Sequence, residues 1–386
     1  MTEASKRFHF PSLEFRREPL TLFLLTGLAI ILVAIVALFS RLYHAKLESL
    51  AEEWSSRGSA DLDAHHYADA VVDYRTALLY DRDNDSYQLN LAEALIGHNG
   101  KDETDEAATY LINLWDRQPE NGTVNLELAR IAASKGQTDR AIRFYNNAIY
   151  AIWPGDQEQA RHTVRLELIA LLMRIHSTVQ AQSELIALAD NLGEDPPAQA
   201  HAAGLFYQTG DYEQALNEYR VSLRGEPHNA DALAGAGQAA FKLNQFRLAH
   251  RYLRDAVFLR PTDKDSAQLL KLSNLVLQMD PFRQQIRAVD RERIVISDFA
   301  AAGNRLKSCT VTGVNSATAT RQQSLQQSWN KLKPQVTGRG LRRNPDLINT
   351  AMSLVFQVER AGNDACGPGS DTDKALSLIA NLHEGL

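Results

Sequence analysis

Residues 51–84, AEEWSSRGSADLDAHHYADAVVDYRTALLYDRDN, decide the fold. Trp54 and Gly58 lie on one helical stretch, and Ala70, Tyr74 and Ala77 on the next. The second half of this pattern recurs as Ala141/Tyr145/Ala148, Ala215/Tyr219/Ser222 and Ala249/Leu253/Ala256. Copies start near residues 51, 88, 122, 162, 196 and 230, and three of the spacings are 34 residues. Copy two (Leu91, Ala107, Leu111, Leu114, Pro119) needs a short insertion around 97–103 to hold phase. Copy four (Leu168, Ala181, Leu185, Leu188) lacks the aromatic. Small residues such as Gly58, Ala129, Ala203 and Gly237 let the first helix of a copy approach the second. Tyr74, Tyr145 and Tyr219 fill the gap toward the following helix. Pro119, Pro227 and Pro261 end the second helix, because proline has no N–H and its ring clashes with the preceding turn. Each helix pair leaves an apolar face that only a neighbour covers.

These residues resemble the tetratricopeptide signature, a Trp, a Gly and a Tyr in the first helix and an Ala-x3-aromatic in the second. The resemblance spans about 51–262. It implies an all-α fold in which about six helix pairs stack as a solenoid, and it implies an interaction protein rather than an enzyme.

Pro19 to Ser40 is a run of 22 residues without a charge. As a helix it reaches about 33 Å, enough to cross a bilayer core. The sequence after it is a poor cleavage site, so an uncleaved signal anchor is expected. Lys6, Arg7, Arg16 and Arg17 precede the span, and Arg41, Lys46 and Arg57 follow it. The positive-inside rule then keeps the short N-terminal tail in the cytoplasm. The expected order is a cytoplasmic tail over 1–18, a transmembrane anchor over 19–42, a solenoid with a capping helix over 43–281, and a helical C-terminal domain over 282–386. The repeats and C-terminal domain would be periplasmic, in the inner membrane of a bacterium.

The net charge is −6, unevenly spread. Residues 282–386 hold 14 bases against 9 acids, whereas the preceding part holds 27 against 38. Phe299–Pro345 has eight bases (Arg305, Lys307, Arg321, Lys331, Lys333, Arg339, Arg342, Arg343), no acid, and Trp329 among them. Such a segment fits an anionic polymer or lipid, or simply a solvated surface that balances the acidic repeats. The tail also reads as four helices, over about 282–308, 320–332, 345–362 and 372–384. Thr310–Thr320 and Gly367–Gly369 read as loops, and Ser266 as the N-cap of the capping helix.

Other motifs weaken on inspection. Gly235-Ala-Gly237-Gln-Ala-Ala240 matches a dinucleotide fingerprint but sits inside a repeat helix, not after a strand. Asp81-Arg-Asp83-Asn-Asp85 opens like a calcium loop but has Ser86 where glycine is required and Ala92 where the acid is required. His65-His66 has no further ligand at metal spacing. No cofactor, metal or catalytic residue is expected, and an enzyme hidden in 282–386 is the outlying alternative.

By the resemblance, positions 2, 5, 9 and 12 of each repeat face a concave groove. These include Leu89 and Glu93 in copy two, Leu126 and Arg130 in copy three, Tyr207 in copy five, and Gln238 and Phe241 in copy six, with Lys242 beside them. The Lys/Asn clamp used by chaperone-tail binders is absent, so chaperone tails are disfavoured, as is nucleic acid. The expected partner is a protein, presented as an extended peptide or helix, with the bilayer contacting only the anchor. The two cysteines, Cys309 and Cys366, are either free thiols or, in an oxidising compartment, a disulfide. Mass spectrometry of non-reduced protein should find the disulfide-linked peptide pair. Closing a loop of this length is worth about 4 kcal/mol in the chain-entropy model.

Overall fold

The computed structural model describes residues 18–309 and 316–383. Lys6, Arg7, Arg16 and Arg17 lie outside the described residues, as does the first part of the Thr310–Thr320 segment. Among the described residues the chain is helical, with a single isolated β-bridge between Asn121 and Ile152. It divides into two compact units, 1–167 and 168–386.

In the first unit, α1 (Glu18–Asp63) runs unbroken from the apolar stretch into the first repeat. Within it, Leu22, Phe23, Ile30, Val33 and Phe39 are all more than half exposed. This is the one helix among the described residues long and apolar enough to cross a membrane. The end of α1 pairs with α2 (Tyr67–Tyr80), α3 (Asp85–His98) with α4 (Lys101–Arg117), and α5 (Gly122–Ser134) with α6 (Thr138–Tyr150). Copy two therefore starts at Asp85 rather than near 88, and its insertion is absorbed by the left-handed turn at Asn99 and by a long α4. α7 (Gln157–Arg174) contains the boundary between the units.

The second unit continues with α8 (Thr178–Ala189), α9 (Pro196–Gln208), α10 (Tyr212–Gly225), α11 (Ala230–Lys242), α12 (Phe246–Leu259) and the capping helix α13 (Lys264–Met279). The remaining helices are α14 (Ala288–Ser308), α15 (Ser316–Leu332), α16 (Gly338–Arg343), α17 (Asp346–Cys366) and α18 (Asp371–Leu382). α15 begins at Ser316, so the second half of the expected Thr310–Thr320 loop is helical. α14 begins six residues later than expected, because Arg283 and Arg291 fix the preceding turn by donating to the carbonyls of Leu277 and Pro281. The six-residue α16 is absent from the sequence reading. Its Thr337 cap, which accepts from Gly340 N at 3.1 Å, is its local signal.

The repeat junctions share one device. α4, α10 and α12 each stop two residues before Pro119, Pro227 and Pro261. Two residues after each proline, Asn121, Asn229 and Asp263 cap the next helix by accepting backbone N–H groups at 3.0–3.2 Å. Proline ends one helix and the Asx side chain starts the next. Asp263, not Ser266, is thus the N-cap of α13. Ser266 is fully buried one turn in, its N–H bonded to that aspartate.

Close approach between neighbouring helices depends on glycine. A Cβ on Gly58 would lie 3.1 Å from the Tyr74 ring, and one on Gly235 would lie 2.2 Å from Cζ of Tyr219. A Cβ on Gly237 would meet Leu253 Cγ at 2.6 Å and its backbone N at 3.2 Å. The glycine fingerprint is therefore buried packing in α11.

α14, α15, α17 and α18 form a helical bundle around Val295, Phe299, Trp329, Val355 and Ile379, continuous with Phe246 and Val276 of the repeats. α18 is held to α13 by Asp371, which meets Lys271 at 2.7 Å and Gln268 at 2.9 Å; Lys271 leads the contacts that push its pKa down to about 2. Cys309 and Cys366 are joined as a disulfide with Cα atoms 6.0 Å apart. Beside it, Arg305 donates to the carbonyls of Gly362 and Gly367, and Gln322 to that of Cys309. The ends of α14 and α17 and the start of α15 are thereby fastened together.

Two acids are buried in this bundle. Asp298 is 1% exposed and Glu359 is 0% exposed, and Asp298 Oδ2 and both Glu359 oxygens lack hydrogen-bond partners. Desolvation raises Asp298 from 3.8 to about 8, with Asp280 adding to the rise. It raises Glu359 from 4.5 to about 8, with Asp373 adding and Arg305 opposing.

Two outcomes are expected. Gly237→Ala gains about 0.5–1 kcal/mol of helix propensity. Overpacking against the fully buried Leu253 costs about 1–3 kcal/mol, so the urea midpoint should fall. A midpoint that rises would show that α12 yields freely. Second, acids whose folded pKa lies above the unfolded value cost nothing at low pH and destabilise as pH rises. Stability should decline between about pH 4 and pH 8, the interval set by the two shifts. Asp298→Asn should flatten that decline in urea titrations followed by circular dichroism.

Candidate partner-binding surfaces

In the first unit α5 and α7 carry a charged cluster. Arg130 Nη1 lies 2.5 Å from Glu127, and its Nε and Nη2 grip Glu167 in a two-pronged pair at 3.0 and 2.5 Å. Tyr145 donates to the same Glu167 carboxylate at 3.2 Å. Glu127 is nine-tenths buried, and desolvation raises its pKa against the pull of Arg130. Glu93 is half-buried, and burial and then the charge of Glu127 push it upward, with Arg130 opposing. Leu89 packs against the core formed by Leu91, Leu95 and Leu111, and Leu126 is buried. Of the four residues expected at the groove here, Glu93 and Arg130 present polar atoms, whereas the two leucines act as packing.

In the second unit Tyr207 and Tyr212 pack at 5.2 Å between ring centroids, and Lys242 Nζ stands 6.0 Å from the Tyr212 ring. Tyr207 and Gln238 are half-buried and Lys242 is exposed. Phe241 behaves differently. It meets Phe246 edge-on at 5.2 Å, packs against the C-terminal bundle, and lines a cleft of about 420 Å³. The other walls include Leu272, Asn363, Lys374, Ser377 and Leu378, so α17 and α18 border the inner end of copy six. Sequence periodicity placed Phe241 correctly on its helix. It held no information about the bundle that comes to rest there.

The basic segment is less available than its composition suggests. Trp329 is 6% exposed and stacks on Phe299 with rings 5.3 Å apart and 4° from parallel. Lys333 and Lys307 cover its face at 4.9 and 5.9 Å. Arg342 pairs with Glu292 at 2.6 Å, Arg321 with Asp364 at 3.3 Å, and Arg305 is spent on carbonyls. The indole is a core residue and offers no stacking platform.

Asp298 and Glu359, the most perturbed acids, do not line the cleft beside Phe241. His65 bonds Tyr67 at 3.0 Å and His66 lies 3.5 Å from Asp61, both in the exposed turn after α1. Asn84, within the calcium-like stretch, caps α3 by accepting from Tyr87 N.

Family models described as tetratricopeptide repeat match residues 100–157 and 206–272. A curated relative, the BBSome complex member BBS4 homolog of Drosophila melanogaster, is 25% identical over 223 residues, 58% of this chain. The chain spans about two fifths of that relative's length (41%). Solved structures of similar fold include YrrB, a tetratricopeptide protein with an unusual peptide-binding site (16% identity, 51% of this chain, 97% of that one, TM-score 0.40). Pseudomonas aeruginosa PilF (17%, 58% and 99%, 0.40) and the type IV pilus biogenesis factor PilW (16%, 57% and 98%, 0.39) are others. The two matched segments coincide with α4–α6 and α10–α13, so the chain contains tetratricopeptide repeats.

Proposed function

We propose that the chain is a membrane-anchored scaffold whose inner helix faces bind a protein partner during assembly of an envelope or secretion complex. The observation that carries this is the unbroken α1, in which a bare apolar stretch leads directly into the first repeat. A tetratricopeptide array supplies a protein-interaction scaffold. An apolar helix of this length beside it supplies a tether, with the N-terminal tail in the cytoplasm and the repeats in the periplasm. The curated relative's description as a complex member is in keeping with this reading. Tyr207, Gln238 and Lys242 are the second unit's contact residues in this proposal, since aromatic and cationic side chains with free edges are common interface anchors. Phe241 serves the scaffold by receiving the C-terminal bundle. A polymer- or lipid-binding role for 299–345 is the weaker reading, given the pairing of Arg321 and Arg342 and the burial of Trp329.

A reporter fused after residue 60 should be active only when it is of the periplasmic type. With a photo-crosslinking residue in the full-length chain in its membrane, Gln238 should yield protein adducts. The same residue at Val179, which is 77% exposed on α8, should yield none. Tyr207→Ala should weaken the adduct-forming interaction by about 1–3 kcal/mol. Equal crosslinking at both sites, or activity of a cytoplasmic reporter alone, would sink the proposal.

A further inference from the structure

Helix α12 has two unlike faces. Phe246, Ala249, Leu253 and Ala256 are buried. On the opposite side, Arg247, Arg251, Arg254 and Phe258 recur at spacings of four, three and four residues, and all four are exposed. At 3.6 residues per turn these spacings draw one straight stripe, about 17 Å long. Among the described residues no ion pair reaches Arg247 or Arg251, and Arg251 lies over the Tyr252 ring at 5.2 Å. Arg254 meets Asp255 at 2.9 Å and keeps 61% of its side chain exposed. Asp255 is the only acid of α12, so the stripe carries excess positive charge.

A second observation lies at the end of the stripe. Phe258 is 83% exposed and borders a recess of about 550 Å³. The other walls are Pro227, His228, Leu233, Asp255 and Leu259. Most of these walls are apolar, so the recess suits an apolar side chain, whereas the stripe leading to it suits anions. Arginine and aromatic side chains together are the usual anchors of a protein interface.

We propose that this face of α12 docks an acidic amphipathic helix of a partner protein. Carboxylates spaced four and three residues apart on that helix pair with Arg247, Arg251 and Arg254, and an apolar side chain one turn further along enters the recess beside Phe258. Charge complementarity selects the anion, and the planar guanidinium fork accepts a carboxylate on two parallel bonds. A helix laid along α12 repeats the stripe's own rises of about 6 and 4.5 Å. Same-side residues of an extended strand recur every ~6.6 Å and fall out of step. An anionic bilayer would meet the arginines but has no side chain for the recess. The surface uses none of the inner residues Tyr207, Gln238 and Lys242, so it goes beyond the scaffold reading by adding a second partner site.

The test uses the full-length chain in nanodiscs of zwitterionic phosphatidylcholine. The probe is a fluorescent helical peptide, Ser-Ala-Glu-Ala-Gln-Ala-Glu-Gln-Ala-Glu-Ala-Gln-Ala-Leu-Ala-Gly, compared with the same peptide carrying glutamine in place of glutamate. At about 50 mM salt, where screening is weak, the glutamate peptide should bind about tenfold more tightly. The triple variant Arg247→Gln, Arg251→Gln, Arg254→Gln should abolish that preference. Removing the same charge from three exposed bases of the C-terminal bundle, by Lys331→Gln, Arg339→Gln and Arg343→Gln, controls for long-range attraction and should leave it intact. Phe258→Ser should weaken both peptides by a similar factor, because both carry the leucine. All these positions are exposed, so the urea midpoint should stay unchanged. Equal affinity for the two peptides, no binding of either, or a preference that survives the α12 triple variant overturns the inference. Phosphatidylglycerol vesicles that bind through the three arginines while the two peptides bind equally would assign the face to anionic lipid and also overturn it. Gln238 crosslinks do not depend on this face, so their persistence would leave the scaffold reading standing.

Discussion

The fold depends on one steric condition, that a second helix comes close enough to the first helix of its own copy or of the next for its side chain to press against a glycine there. Tyr74 lies under Gly58, Tyr219 against Gly235, and Leu253 against Gly237. Each contact exchanges a Cβ for the face of a larger group, and the aromatic rings bring a large apolar area to a short interaxial distance. Interiors are close-packed, so the exchange leaves little room for variation at either partner. The Pro-x-Asx junctions then set where each helix stops and the next begins, and copies of similar length follow. The glycine-rich run in α11 is the extreme case, eight of its thirteen residues being buried.

Electrostatics separates the surfaces that such packing produces. In the C-terminal bundle several of the bases are engaged by the chain itself: Arg305 by carbonyls, Arg342 and Arg321 by Glu292 and Asp364, and Lys333 by the face of Trp329. Two of the eight bases of the segment are thus ion-paired, while Lys331, Arg339 and Arg343 stay exposed. In the first unit the opposite holds. A nearly buried Glu127 and a half-buried Glu93 share the field of one guanidinium, and desolvation raises both carboxyl pKa values. Charge that matters to a partner is charge left unpaired by the fold, and composition does not report it.

The bundle also changes what the last repeats are. α18 lies on α13 through the Asp371 contacts, and the cleft beside Phe241 is walled by α17 and α18. His383 adds a second tie, bonded to Asp280 at 3.1 Å and packed on Phe282. The capping helix, which a bare repeat array would leave half in water, is covered by its own chain. The disulfide and Arg305 hold the bundle's far corner, and the two buried acids sit within it without partners.

The sequence alone determined the repeat, its six helix pairs, the apolar run and the two cysteines. These are written in local spacing: small residues and tyrosines at helical periods, prolines at repeat ends, and 22 residues without charge. Errors at this level were local too. Asp263 rather than Ser266 caps α13, α15 starts inside the expected loop, and α16 went unread, because a cap depends on one residue's backbone angle and a six-residue helix has no period to detect. Tertiary structure alone decided which groove residues face water. Leu89 and Leu126 turned to the core, Phe241 met the bundle, and Trp329 was buried on Phe299. Those outcomes rest on contacts between different helices, 30 positions apart in the chain for Phe299 and Trp329, and no local pattern records such contacts.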